Sequence, residues 1–181
     1  VDNLPKGEGR IGIDLGLKTL ATCSDGMKIP AMRHYRRYET KLAMAQRAGN
    51  KRQVKAVHAK IANVRRDQIH KTTCRIANDN GLIAVGNVSS SKMARTQMAK
   101  FVLDASWTMF RTQLRYKASR HGAVYLDIDE RFTTQTCSGC GCIAGPRGYA
   151  GLNERRWICD GCGMSHDRDV NSAINILCLG L

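Results

Sequence analysis

Four cysteines, arranged as Cys137-Ser138-Gly139-Cys140 and Cys159-Asp160-Gly161-Cys162 with eighteen residues between the pairs, constrain this chain more than any other feature. Two Cys-x-x-Cys knuckles at that separation have the ligand count and spacing of a closed tetrahedral zinc site, so Cys137, Cys140, Cys159 and Cys162 are expected to hold a four-cysteine zinc ribbon. His166 follows closely, but four thiolates already close such a site, and it is read as a non-ligand. The run His166-Asp167-Arg168-Asp169-Val170-Asn171 comes next and opens an amphipathic helix expected from Asp169 to Leu179. The metal module must therefore hold a carboxylate-bearing helix against whatever precedes it.

What precedes it alternates between strand and helix patterns. Residues 10–22 read as a strand, a glycine-containing bend and a returning strand, and Ser24-Asp25-Gly26 is a turn before a short strand at 27–30. From Arg33 to about Asn78 there is no proline, and apolar residues recur at helical spacing, giving two helices broken near Gly49-Asn50. Leu82 to Val85 is a buried strand, residues 98–120 a helix containing Phe101, Val102 and Trp107, and residues 123–128 another strand. Three strands, helices, strand, helix, strand, an inserted metal module and a closing helix are the element order of an RNase H-like (RuvC-type) α/β fold, a mixed sheet flanked by helices. The expected units are a core over 1–132 with a basic helical insertion at about 33–78, a zinc ribbon over 133–165, and a closing helix over 166–181. Trp107, Trp157 and the methionines are expected to be core.

The charge balance narrows the partner. Lys plus Arg is 29 against 15 acids, a net charge of +14, and a polyanion, nucleic acid first among them, is the economical explanation. Within the helical stretch, Arg33, Arg36, Arg37, Lys51, Arg52, Lys55, Arg65 and Arg66 are candidate phosphate contacts, joined by Arg168; a merely solvated face would mix signs. Arg155 and Arg156, between the knuckles, are further candidates. No apolar run approaches the roughly 20 residues of a membrane span, and the start, Val1 to Pro5, does not have the basic and apolar regions of a signal peptide. Cys23, Cys74, Cys142 and Cys178 are scattered rather than paired, which fits a reducing cytoplasm. The start on Val1 is expected of a processed or excised piece of a longer protein.

Asp14 lies inside the apolar strand Gly12-Ile13-Asp14-Leu15-Gly16, where an acid is costly unless paired or bound to a metal. Asp167 and Asp169 in a first helical turn are often there only to complement the helix dipole. With Asp14 they could converge on divalent cations, although two-metal phosphodiester cleavage needs about three carboxylates.

Four motifs in order, Gly12 to Gly16, Asn63 to Lys71, Thr133 to Gly141 and His166 to Ile176, resemble the TnpB (OrfB) proteins of insertion sequences, which are similar to the C-terminal halves of type V CRISPR effectors. The resemblance implies a RuvC-type nuclease with a zinc ribbon, needing Mg2+ (two ions) and structural Zn2+, guided by RNA to cut DNA in a prokaryotic cytoplasm. It makes Asp14 the first catalytic acid and Asp169 the third. It also implies an N-terminal recognition region, or a partner chain, for guide RNA and target DNA. The family's second acid usually sits on the strand before the Trp helix, where this chain has Gly86. Either the site is dead and the protein is an RNA-guided DNA binder of repressor type, or another acid supplies the ligand. Asp127-Ile128-Asp129-Glu130 ends the neighbouring strand, and Glu130 can lean across the gap of about 4.8 Å that a glycine leaves open. The preferred triad is Asp14, Glu130 and Asp169, with Asp129 and Asp127 next; the bland alternative makes Glu130 a turn acid paired with Arg131. A third class, a zinc-ribbon accessory subunit, would not bind nucleic acid at all.

Overall fold

The computed structural model describes residues 7–31, 34–87, 106–147 and 150–181. Arg33 and the 98–105 portion of the expected 98–120 helix lie outside them. Strand β1 (Gly9–Leu15) alternates strictly. Ile11, Ile13 and Leu15 are buried on one face, and Gly12 and Asp14 point to the other. It pairs antiparallel with β2 (Thr19–Cys23), which pairs antiparallel with β3 (Lys28–Pro30). On its other side β1 is parallel to β4 (Asn80–Gly86), and β4 is parallel to β5 (Val124–Ile128). The order β3-β2-β1-β4-β5 is the expected mixed RNase H-like sheet.

Two helices cover the face carrying Ile13. Helix α2 (Lys51–Asp79) contributes Ile69, Ile76 and Ala77, and α3 (Trp107–Arg120) contributes Trp107, Phe110, Leu114 and Ala118 to one apolar core with Ile83 and Val85. Gly49, at φ +63°, breaks the helical run as expected, and Asn50 caps α2 by accepting the Gln53 N–H at 3.0 Å. Upstream of the break, α1 (His34–Arg47) folds back on α2, and Leu42, Val57 and Ile61 form a small separate core. The hairpin is thus an arm outside the sheet.

The opposite face carries α4 (Arg168–Leu179) alone among the described elements. Its close approach is built into the sheet. A Cβ on Gly12 would come within 2.1 Å of the Ala173 carbonyl and 2.7 Å of the Leu177 N–H nitrogen. Small residues at 12, 84 and 86 therefore lower the floor on which α4 lies. Between β5 and α4 the chain forms the ribbon, whose hairpin is β6 (Arg156–Ile158) against β7 (Ser165–Asp167). Strand β7 is not evident from the sequence. Its last residue, Asp167, belongs to the closing helix on the sequence pattern and is instead the cap of α4, accepting from the Asp169 and Val170 N–H groups at 3.1 and 3.2 Å. Among the described residues, no helix is long and apolar enough to cross a membrane.

Candidate functional site

The site forms where the ribbon, the end of β5 and the start of α4 meet the polar face of β1. Asp14 is half-buried as a residue, and its Oδ1 accepts a hydrogen bond from Ser172 Oγ at 3.1 Å. Burial first, then the charges of Glu130 and Asp169, push its carboxyl up to about 7, against a smaller opposing pull from the Ser172 bond and Arg168. That coupling brings the three expected acids into one electrostatic neighbourhood.

Glu130 reaches this neighbourhood through Gly86. Residue 86 pairs with Ile128 in the β4–β5 register, and a Cβ there would meet Glu130 Oε2 at 2.8 Å. The carboxylate therefore occupies the space that a side chain at 86 would fill. Glu130 is half-buried, and desolvation, with a lesser push from Asp129, raises its pKa despite Arg111. The other two acids of the segment are committed elsewhere. Asp127 accepts from Arg111 at 2.7 Å, from Arg115, and from Tyr125 Oη at 2.9 Å. Burial opposes its ionisation, but these donors win and hold it below the usual carboxylate range. Asp129 accepts the Arg131 N–H. Strand parity separates them, since Asp127 faces α3 while Glu130 leans toward α4.

Asp169, in the first turn of α4, is bound through both oxygens by Arg155 Nη1 at 2.9 and 3.0 Å. Asp167 is paired with Lys28 at 2.7 Å and capped into the helix, which keeps it ionised against burial. Four residues here escape a reading of the sequence. The Thr133 and Ser172 hydroxyl oxygens lie 2.9 Å apart beside Asp14. The Asn171 and Asn175 amides each donate to the Thr133 and Thr136 carbonyls, at 2.7 to 3.2 Å, stapling the segment after Glu130 onto α4. Helical spacing is the available signal, because positions 169, 172 and 176 share the face that meets β1 and Gly86.

The four knuckle cysteines cluster with all sulfurs within 4.8 Å of one another. Cys137 and Cys162 are 3.6 Å apart, as are Cys140 and Cys159. A tetrahedron of Zn–S bonds near 2.3 Å has edges of about 3.8 Å, so the cluster fits a metal such as zinc. The pairs cross between knuckles, as a single shared ion requires. His166 lies outside that set, but its Nε2 is 3.1 Å from Cys137 Sγ and its ring stacks on the buried Trp157 at 4.6 Å. The carboxylates of Asp14, Glu130 and Asp169 do not crowd to within the same 4.8 Å limit.

Of the expected phosphate contacts, Arg36, Arg37, Lys51, Arg52, Lys55 and Arg66 are exposed on the α1–α2 arm, and Arg65 is half-buried. Arg168 differs. Its Nη1 donates to the Gly151 carbonyl at 2.9 Å and its N–H to the Arg155 carbonyl at 2.8 Å, so it ties the ribbon to α4.

An RNase H-like sheet bearing a four-cysteine cluster before its closing helix defines the class. Residues 1–97 match the model of the OrfB_IS605 family, described as "Probable transposase", and the chain belongs to that family. Residues 107–176 match the Cas12f1-like TNB domain. The chain is 37% identical to a Streptomyces pristinaespiralis protein over 98% of its own length and 46% of that protein. It is 29% identical to InsQ of Escherichia coli (strain K12) over 94% of itself and 48% of InsQ. Both relatives bear the name "Putative RNA-guided DNA endonuclease", and the chain spans less than half the length of either. Its fold is similar to part of the Cas12f1 chain in a Cas12f1–sgRNA–target DNA complex, with a TM-score of 0.70 at 20% identity, over 98% of this chain and 51% of that one.

Proposed function

We propose that this chain is the nuclease portion of an RNA-guided DNA endonuclease, with Asp14, Glu130 and Asp169 as its metal-binding carboxylates. The observation that carries the reading is the fit of Glu130 Oε2 into the space over Gly86. An acid missing from β4 is replaced, at the same point in the sheet, by one reaching over from the end of β5. The raised pKa of Asp14 supports it, because a carboxyl held near 7 by burial and two like charges is poised to gain from cations. Two Mg2+ ions, when bound, would supply an activated water and neutralise the leaving oxygen. Ser172 orients the Asp14 carboxyl for that role, and Thr133 packs its hydroxyl against that of Ser172. Arg155 holds both oxygens of Asp169 as a cation would and has to yield them when a metal ion enters.

Cys137, Cys140, Cys159 and Cys162 hold a structural Zn2+ in this reading, which fixes the ribbon that carries Arg155. The exposed cations of α1 and α2 bind phosphates of the guide RNA or target DNA. A recognition region or partner chain completes guide and target binding, in a prokaryotic cytoplasm. The test is cleavage of target DNA by the whole protein loaded with its guide RNA in Mg2+. Asp14→Asn, Glu130→Gln and Asp169→Asn each abolish cutting while target binding persists. Normal cutting by Glu130→Gln would refute the relocated acid. Binding without any cutting by the unmodified protein, in Mg2+ or Mn2+, would make it a nuclease-dead RNA-guided binder.

A further inference from the structure

Phe132 stands where folding alone would not put an aromatic residue. Its φ is 64°, in the left-handed region that favours glycine and asparagine, and 45% of its surface is exposed. Hydrogen bonds on both sides hold the backbone there. Thr133 N–H and Oγ1 donate to the Glu130 carbonyl at 3.2 and 2.8 Å, and the Phe132 carbonyl accepts from the Gln135 and Thr136 N–H groups at 2.9 Å. Thr133 is drawn inward to 2% exposure by Ser172, so its neighbour is turned outward. The Arg131 guanidinium lies 4.7 Å from the Phe132 ring centroid. A strained backbone holding an exposed ring beside a candidate active site points to a functional use of that ring.

We propose that Phe132, with Arg131, is a stacking platform for an unpaired base of single-stranded DNA beside the scissile phosphate. This rests on the nuclease reading of the Glu130 site. An aromatic face next to a guanidinium has the chemistry of a sequence-tolerant single-strand contact, since every base presents a π-face. Two residues of chain keep the Phe132 and Glu130 Cα atoms within about 7 Å of each other, and with side chains reaching roughly 4 Å from each the ring stands within about two nucleotides of the Glu130 carboxylate. A duplex keeps its base faces stacked internally, so the platform selects an unwound strand. Phe132 is thus a positioning residue, two places from a proposed ligand.

The test compares a twelve-nucleotide thymidine strand with an abasic strand of equal length, both bound to this chain with Ca2+ in place of Mg2+. The unmodified chain is expected to prefer the base-bearing strand, and Phe132→Ala to lose about tenfold in affinity for it while binding the abasic strand unchanged. Phe132→Trp should bind the thymidine strand at least as well, and its added fluorescence should be quenched by that strand alone. A merely structural residue would move both strands equally, and that result overturns the proposal, as does equal binding of the two strands by the unmodified chain. Asp14→Asn in the cleavage assay tests the nuclease reading separately, so the two can fail independently.

Discussion

Removing the charge of Asp14 should stabilise the protein while destroying its proposed activity. A carboxyl pushed up to about 7 keeps its proton in the folded state over a range where the unfolded chain, near 3.8, has lost it. Between about pH 4 and pH 7 the native state therefore binds more protons than the unfolded state. Stability then falls as pH rises through that window and is level above it. A shift of this size corresponds to about 4 kcal/mol at 1.36 kcal/mol per unit, which is a ceiling. Asp14 is only half-buried, and solvent screening brings the expected value nearer 2 kcal/mol. Asn is close to isosteric and still offers Ser172 an acceptor. The assay is urea unfolding of zinc-loaded, Mg2+-free protein from pH 4 to pH 8. Asp14→Asn should match the parent near pH 4 and exceed it by about 2 kcal/mol at pH 8. Added Mg2+ should stabilise the parent and not the variant. A variant no more stable than the parent at pH 8, or a difference independent of pH, would refute the reasoning.

Other outcomes follow from the same contacts. Gly86→Ala should fold normally yet cut at least tenfold more slowly, because its Cβ displaces the Glu130 carboxylate; the pair Gly86→Glu with Glu130→Ala should recover part of the cleavage rate. Arg155→Ala frees Asp169 from a half-exposed ion pair, so half-saturating Mg2+ for cleavage should drop about two- to fivefold. Neutralising Arg36, Arg37, Lys51 and Arg52 together should reduce the slope of log affinity against log salt by about 3 for a single strand, measured by fluorescence anisotropy. Chelating zinc should lower the melting temperature and unfold the ribbon, and Co2+ replacement should give thiolate-to-cobalt absorption that Cys140→Ser alters.

Much of this is legible in the sequence because it is local. The knuckles announce themselves by spacing, Gly49-Asn50 by helix-breaking chemistry, and β1 by alternation. Gly86 can be read as a space, and the neighbouring strand as the source of what fills it, because parallel pairing fixes which residues lie side by side. Strand β7 is hidden, since Ser165-His166-Asp167 has no strand composition and is a strand through its pairing with β6, where Trp157 lies opposite His166. Arg155 reads as a contact for a nucleic-acid strand, and the structure gives it Asp169. The second knuckle lies between the two in the chain, and no periodicity reports a contact made by a ribbon folding over. The Asn171 and Asn175 staples are hidden likewise, because their partners are backbone carbonyls, which look alike in every sequence.

The length of α2 has a mechanical consequence. It runs for 29 residues, about 43 Å, and passes into β4 without an intervening residue, Asp79 ending the helix and Asn80 beginning the strand. From Ile69 onward it is gripped by the core, so the preceding 18 residues form a lever of about 27 Å. A tilt of about 10° at the grip displaces the Lys51 end by about 5 Å, and no residue lies between Asp79 and β4 to take up the movement. A rigid shaft with no slack at its root transmits torque from the arm to the strand that ends at Gly86.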